Sequence, residues 1–167
     1  DWSADVCSSD LFADRASIGA SFKGPQDYLT VADGAVEKLV TGLLNAAFPD
    51  DDVLGEEGGG SKSTRATWVI DPIDGTANFA NGIAHFCISI AFVADGREEI
   101  GVIYDPIRDE MFLARRGHGA SCNGRPMKVT ATPDLARAQV ELGWSGRRTV
   151  ESYTEILTRT VKAGASF

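Results

Sequence analysis

Features that would mark a secreted, disulfide-framed or membrane-spanning chain are missing from this sequence. Three cysteines, Cys7, Cys87 and Cys122, are too few and too unevenly spaced for a disulfide framework, and none forms a CxxC pair. That usage reads as a reduced, cytoplasmic setting. No basic stretch leading into an apolar run opens the chain, so no signal peptide is expected. No apolar run approaches transmembrane length, which predicts no membrane partner. Only two histidines are present, and His85 and His118 lie too far apart for the short spacing of a zinc pair. A serine-hydrolase reading fails because G-x-S-x-G is absent. Positive charge is scarce as well: 16 Lys and Arg against 24 Asp and Glu give a net charge of −8. A nucleic-acid polymer is thereby excluded as a partner, since phosphate backbones are held by clustered cations. A small phosphate is not, because a metal ion held by carboxylates inverts the local charge.

The 167 residues favour one domain or part of a larger one, and 43% hydrophobic content suffices for a core. Residues 1–22 are small and polar without a sustained period and read as a poorly defined N-terminal segment; the domain proper is expected over 23–167. Val36, Leu39, Val40, Leu43, Leu44 and Ala47 share one helical face, with Asp33 as the expected N-cap and Pro49 as the stop. Gly58-Gly59-Gly60-Ser61 reads as a loop. Trp68-Val69-Ile70 reads as a short strand broken by Pro72, and Phe86–Ala94 as a strand buried on both faces. Turns at Asp95-Gly96, Asp105-Pro106 and Asn123-Gly124 separate strands near Ile100–Tyr104, Met111–Ala114 and Met127–Val129. Gln139–Leu142 is expected to be another strand, and Val150, Tyr153, Ile156, Leu157 and Val161 give helical spacing. Helix, then a run of strands, then helix predicts an α+β fold with helices layered on a large, mostly antiparallel sheet.

Chemistry concentrates in Asp71-Pro72-Ile73-Asp74-Gly75-Thr76. A strand delivers Asp71, Pro72 fixes the backbone beyond it, and a tight turn can aim Asp71 and Asp74 at one point. Mg²⁺ takes one or two carboxylates together with water and substrate phosphate, and the Ile73 carbonyl lies between the two acids. A helix or turn starting at Gly75-Thr76 would offer free N–H groups to an anion, with no Cβ at Gly75 to keep it away. Taken alone, Asp-Pro-x-Asp-Gly is equally an ordinary turn. Glu56 and Glu57, ahead of a loop long enough to fold back, offer a third carboxylate. Asp50-Asp51-Asp52 does not start a calcium loop, because Leu54 and Ser61 fall where oxygen ligands belong.

Leu54-Gly55-Glu56-Glu57, followed by the twelve residues Trp68 to Phe79, resembles the signature of the inositol monophosphatase family. Asp27 to Asp33, Gly101 to Pro106, Glu110 and Gly117 to Gly124 extend the likeness over roughly 23–167. The resemblance implies a layered α/β sandwich of the sugar-phosphatase type and two or three Mg²⁺ ions. In its terms Glu56, Asp71, the Ile73 carbonyl and Asp74 are metal ligands. Gly75 and Thr76 hold phosphate oxygens, and Glu56 with Thr76 orients the attacking water. Lys23, Asp27 and Asp33 fall where the family places further metal or electrostatic contacts. The implied substrate is a small phosphorylated polyol, inositol monophosphate first. Histidinol phosphate, fructose 1,6-bisphosphate and 3′(2′),5′-bisphosphate nucleotides are the alternatives, and a homodimer is implied by the same likeness. The family's later Trp-Asp motif, with one more metal-ligating aspartate, has no counterpart here. The chain therefore reads as an N-terminal portion whose C-terminal part is missing, which leaves open an inactive metal- or phosphate-binding fragment.

Overall fold

A computed structural model describes residues 8–14, 20–24, 27–56, 66–144 and 148–166. Two units divide between Met127 and Lys128. In the first, a short helix α1 (Ser8–Ala13) precedes an antiparallel hairpin of β1 (Ala20–Gly24) and β2 (Asp27–Thr30). The long helix α2 (Val31–Ala47) follows directly. Seven strands then form one sheet in sequence order: β3 (Asp52–Gly55), β4 (Ala66–Asp74), β5 (Cys87–Ala94), β6 (Arg97–Asp105), β7 (Glu110–Arg115), β8 (Gly119–Cys122) and β9 (Arg125–Met127). β3 runs parallel to β4, and every later pair is antiparallel. A five-residue helix α3 (Thr76–Ala80) interrupts the passage from β4 to β5. The α+β class expected from the order of elements is the one found, with a mostly antiparallel sheet.

The core forms where α2 lies on one face of the sheet. Val36 and Val40 pack with Ile70 and Ile90, flanked by Trp68, Ile88 and Val102. A second cluster gathers Ala32, Ile73, Phe79 and Phe86 at the sheet end that carries Asp71–Thr76. Phe12 of α1 joins it, with ring centroids 5.6 Å from Phe79 and 5.1 Å from Phe86. Part of the stretch expected to be undefined is thus a helix that closes the core under the candidate site. Its single apolar pair, Leu11-Phe12, is too short to show a period.

Other expectations need correcting. α2 begins at Val31, so Asp33 lies inside its first turn rather than capping it. β4 is not broken at Pro72 but runs on to Asp74 through an irregularity in its pairing with β5. β5 is not buried on both faces: only Ile90 is buried, because α2 covers one side of it. In the second unit, Gln139–Leu142 contributes a single bridge, Gln139 to Ser166, instead of a strand. Helix α4 (Val150–Lys162) is present there, and the Thr149 hydroxyl caps it by accepting from the Ser152 N–H at 3.2 Å. The Gly58–Ser61 loop lies outside the described residues.

Candidate active site

Asp71 and Asp74 are three residues apart, an odd spacing that in a regular strand sends side chains to opposite faces. The pairing with β5 resolves this. Asp71 stands opposite Ser89 and Asp74 opposite Cys87, so three steps on β4 match two on β5. The extra residue is a bulge, which restores parity and turns both carboxylates to one face. Ile70, one residue earlier, points to α2, so that face is the one away from the helix. Pro72 belongs at such a place, since a bulge requires no ladder N–H from it. Pro72 and Ile73 are both buried, which anchors the turn between the acids.

Beyond the bulge, Gly75 adopts φ 98° and ψ 35°, a left-handed conformation open to glycine. A Cβ there would lie 3.1 Å from the His85 carbonyl oxygen and 3.3 Å from Phe86 Cα. The Phe79 N–H bonds back to the Gly75 carbonyl at 3.0 Å, which leaves the preceding amides of α3 outside its ladder. Asn78 Nδ2 donates to the His85 carbonyl at 2.7 Å and ties the turn to the start of β5.

The Thr76 hydroxyl has two acceptors, the Ile73 carbonyl at 2.9 Å and Asp33 Oδ1 at 3.2 Å. One lone pair of that carbonyl is engaged, and the other remains for a cation. Asp33, 3% exposed, does not cap α2 but meets Thr76 across 43 residues of chain. Its placement had a signal. Thr30-Val31-Ala32-Asp33 has the spacing of a capping box, which puts Asp33 at the third helical position.

Asp71 is the electrostatic centre of the group. Burial first, then the charges of Glu56 and Asp74, push its carboxyl from the usual 3.8 up to about 7. The protonated acid also donates to Glu56, and only a hydrogen bond from the Ile73 backbone opposes the shift. Asp71 Oδ1 is buried with no hydrogen-bond partner. A cation would remove both penalties at once, so the donor set suits a hard divalent ion. Among the described residues, no three His, Cys, Asp or Glu side chains are already drawn together as a finished metal cage. Glu56 is exposed at the end of β3, fixed through its N–H to the Ile70 carbonyl at 3.2 Å. Glu57 lies outside the described residues, as do the side chains of Lys23 and Asp27 on β1 and β2.

Cys87, at the start of β5, has its thiol 4.0 Å from Asp74 Oδ2. Burial first, then Asp74, Asp71 and Asp105, push that thiol up to about 11, so it stays protonated and is no nucleophile. His85 and His118 are both exposed, and neither faces the carboxylates through any contact among the described residues.

The inositol monophosphatase family model matches residues 7–165. The chain belongs to that family. Among its relatives, the Nus factor SuhB of Xylella fastidiosa is 40% identical over 134 residues, covering 80% of this chain and 49% of that protein. The chain thus spans about half the length of the curated relatives it matches. Among solved structures, the extragenic suppressor protein SuhB of Bartonella henselae superposes with a TM-score of 0.89 at 32% identity, covering 95% of this chain and 62% of that one. An inositol monophosphatase (IMPase) of Thermotoga maritima gives 0.81 at 30%, covering 92% and 59%.

Proposed function

We propose that this chain carries the metal- and phosphate-binding part of a Mg²⁺-dependent phosphomonoesterase. One observation carries the reading: Asp71 lies between Glu56 and Asp74, raised to about 7, with a buried oxygen that no protein group satisfies. Glu56, Asp71, Asp74 and the Ile73 carbonyl would hold two or three Mg²⁺ ions, and Gly75 with Thr76 would take the phosphate oxygens. Bound there, Mg²⁺ supplies an acidified water and stabilises the departing oxygen. The chain's own groups then orient the reaction. Asp33 and Ile73 draw the Thr76 proton inward, which leaves the hydroxyl's lone pairs free to accept from a water. The partner is a small phosphorylated polyol, with inositol monophosphate favoured by the family. A homodimer, by likeness to the family, and a cytoplasmic setting, from the sparse cysteines, are part of the same proposal. Among the described residues no helix is long and apolar enough to cross a membrane.

The second reading is a metal- or phosphate-binding site without turnover. A Nus factor role, carried in the relatives' name, would likewise require no hydrolysis. One assay separates these readings: phosphate release from a panel of small phosphomonoesters, with and without Mg²⁺, by this chain and by a version extended to its relatives' length. Mg²⁺-dependent release is expected from the extended protein, and Asp74→Asn should cut it by about two orders of magnitude or more. Absence of Mg²⁺-dependent release from the extended protein would sink the enzyme reading.

A further inference from the structure

Glu37 lies one helical turn beyond Asp33 on α2, so the two acids share a stripe of the helix. Asp33 reaches Thr76. Glu37, half-buried, points elsewhere: its carboxylate rests against the backbone of Gly55, the last residue of β3. A Cβ at Gly55 would collide with the Glu37 carboxyl carbon and with both of its oxygens. The acid therefore occupies the volume that any other residue at position 55 would require. Gly55 is itself buried and paired in register with Ile70, and the next residue is Glu56. Glu56 thus leaves the sheet from a point fixed on two sides, by its N–H on Ile70 and by Glu37 filling the space beside Gly55.

We propose that Glu37 is a positioning residue for the Glu56 carboxylate: by filling the side-chain space at Gly55 it sets where β3 releases Glu56 toward Asp71. The inference rests on the reading of Glu56 as a metal ligand. It gives the Gly-Glu step a reason besides a flexible turn, since a side chain at position 55 would compete with Glu37 for one volume. It also makes α2 the common support of the site, bracing Thr76 through Asp33 and Glu56 through Glu37.

The test is a Mn²⁺ titration of the 167-residue chain, with free Mn²⁺ read by electron paramagnetic resonance, so that no turnover is required. Glu37→Ala should weaken binding about tenfold, the lower end of what removing a ligand's support costs. Glu37→Gln keeps the volume and should bind close to wild type. Gly55→Ala should also weaken binding, and Gly55→Ala with Glu37→Ala should bind more tightly than Gly55→Ala alone, because the methyl then takes vacated space. Wild-type affinity in Glu37→Ala, or a loss in Glu37→Gln as large as in Glu37→Ala, overturns this inference while leaving the metal site intact. The comparison of those two variants decides the matter even where Gly55→Ala does not fold. A wild-type chain that takes up no Mn²⁺ overturns the metal reading, and the inference falls with it.

Discussion

Strand β4 and the hairpin joining β8 to β9 belong to one sheet, yet they treat glycine and polar side chains in opposite ways. At the hairpin, Asn123 and Gly124 take φ 48° and 75°, the pair that a two-residue turn matching strand twist requires. The exposed Asn123 side chain is tied at both ends of its amide: its Oδ1 accepts from the Met111 N–H at 2.7 Å and its Nδ2 donates to the Asp109 carbonyl at 2.9 Å. Asp95-Gly96 repeats the same turn with φ 49° and 74°. At the end of β4, by contrast, a proline sits in a strand with neighbours on both sides, a glycine is crowded, and a buried carboxylate oxygen has no partner. Where local chemistry and fold agree, the chain is a scaffold. Where they disagree, the disagreement is supported from elsewhere, by α1, α2 and the aromatic cluster around Phe79, and the site lies there.

Glycine provides the sharpest way to break that contrast. Gly75 and Gly124 both have positive φ, but a Cβ at Gly124 meets nothing within 4 Å, whereas at Gly75 it meets backbone. Gly124→Ala should cost about 1 kcal/mol, the strain of a left-handed alanine alone. Gly75→Ala should cost about 2–3 kcal/mol, because the atoms it meets, the His85 carbonyl oxygen and Phe86 Cα and Cβ, cannot turn aside. Urea unfolding of the two variants measures both. Equal losses would show that the crowding at Gly75 is not a constraint of the fold.

That same contrast explains what could be read in the sequence. The meander from β5 to β9 was legible because Asp95-Gly96 and Asn123-Gly124 announce their turns and apolar runs lie between them. β8 escaped, since Gly119-Ala120-Ser121-Cys122 has no branched or aromatic residue to mark a strand, and β9 runs over Arg125–Met127 rather than the expected Met127–Val129. Around the site, the residues Asp71 to Thr76 were legible as a motif, but their geometry was not. Pro72 suggested a strand end, and only the pairing with β5 shows a bulge that brings both acids to one face. The roles of Asp33, Glu37 and Cys87 come from contacts across 13 to 43 residues of chain or across packed elements, which no local period reports.

Charge gives the next test. Asp71, raised to about 7, holds a proton in the metal-free fold at pH values where the unfolded chain has released it. The folded state therefore binds more protons than the unfolded one between about pH 4 and about pH 7, and stability falls as pH rises through that window. Asp71→Asn should remove this component and stabilise the metal-free chain at pH 8 by about 1 kcal/mol, after discounting for partial exposure to water. Mg²⁺ should raise the melting temperature of the wild type and leave Asp71→Asn nearly unmoved. Denaturant midpoints measured from pH 4 to pH 8 check the sign, and parallel profiles for the two proteins would refute the placement of Asp71.

Asp105, at the β6–β7 turn, completes the contrast with the opposite slope and a smaller effect. Burial would raise its carboxyl, but hydrogen bonds from Arg108 and Ile107 outweigh this and hold it below the usual 3.8. Its Oδ1 accepts from the Ile107 and Arg108 N–H groups at 2.9 and 3.0 Å, and its Oδ2 pairs with Arg108 Nη1 at 2.7 Å. A depressed acid contributes stability above its unfolded pKa and loses it as pH falls through the folded one. Arg108→Ala should cost only about 0.5 kcal/mol, since the Arg108 side chain is 58% exposed and both backbone donors remain. Asp105→Ala should cost more, about 1 kcal/mol, because those donors then lose their acceptor. If Arg108→Ala proved the costlier of the two, the turn would depend on its ion pair. The turn would then be held by charge rather than by its own backbone donors.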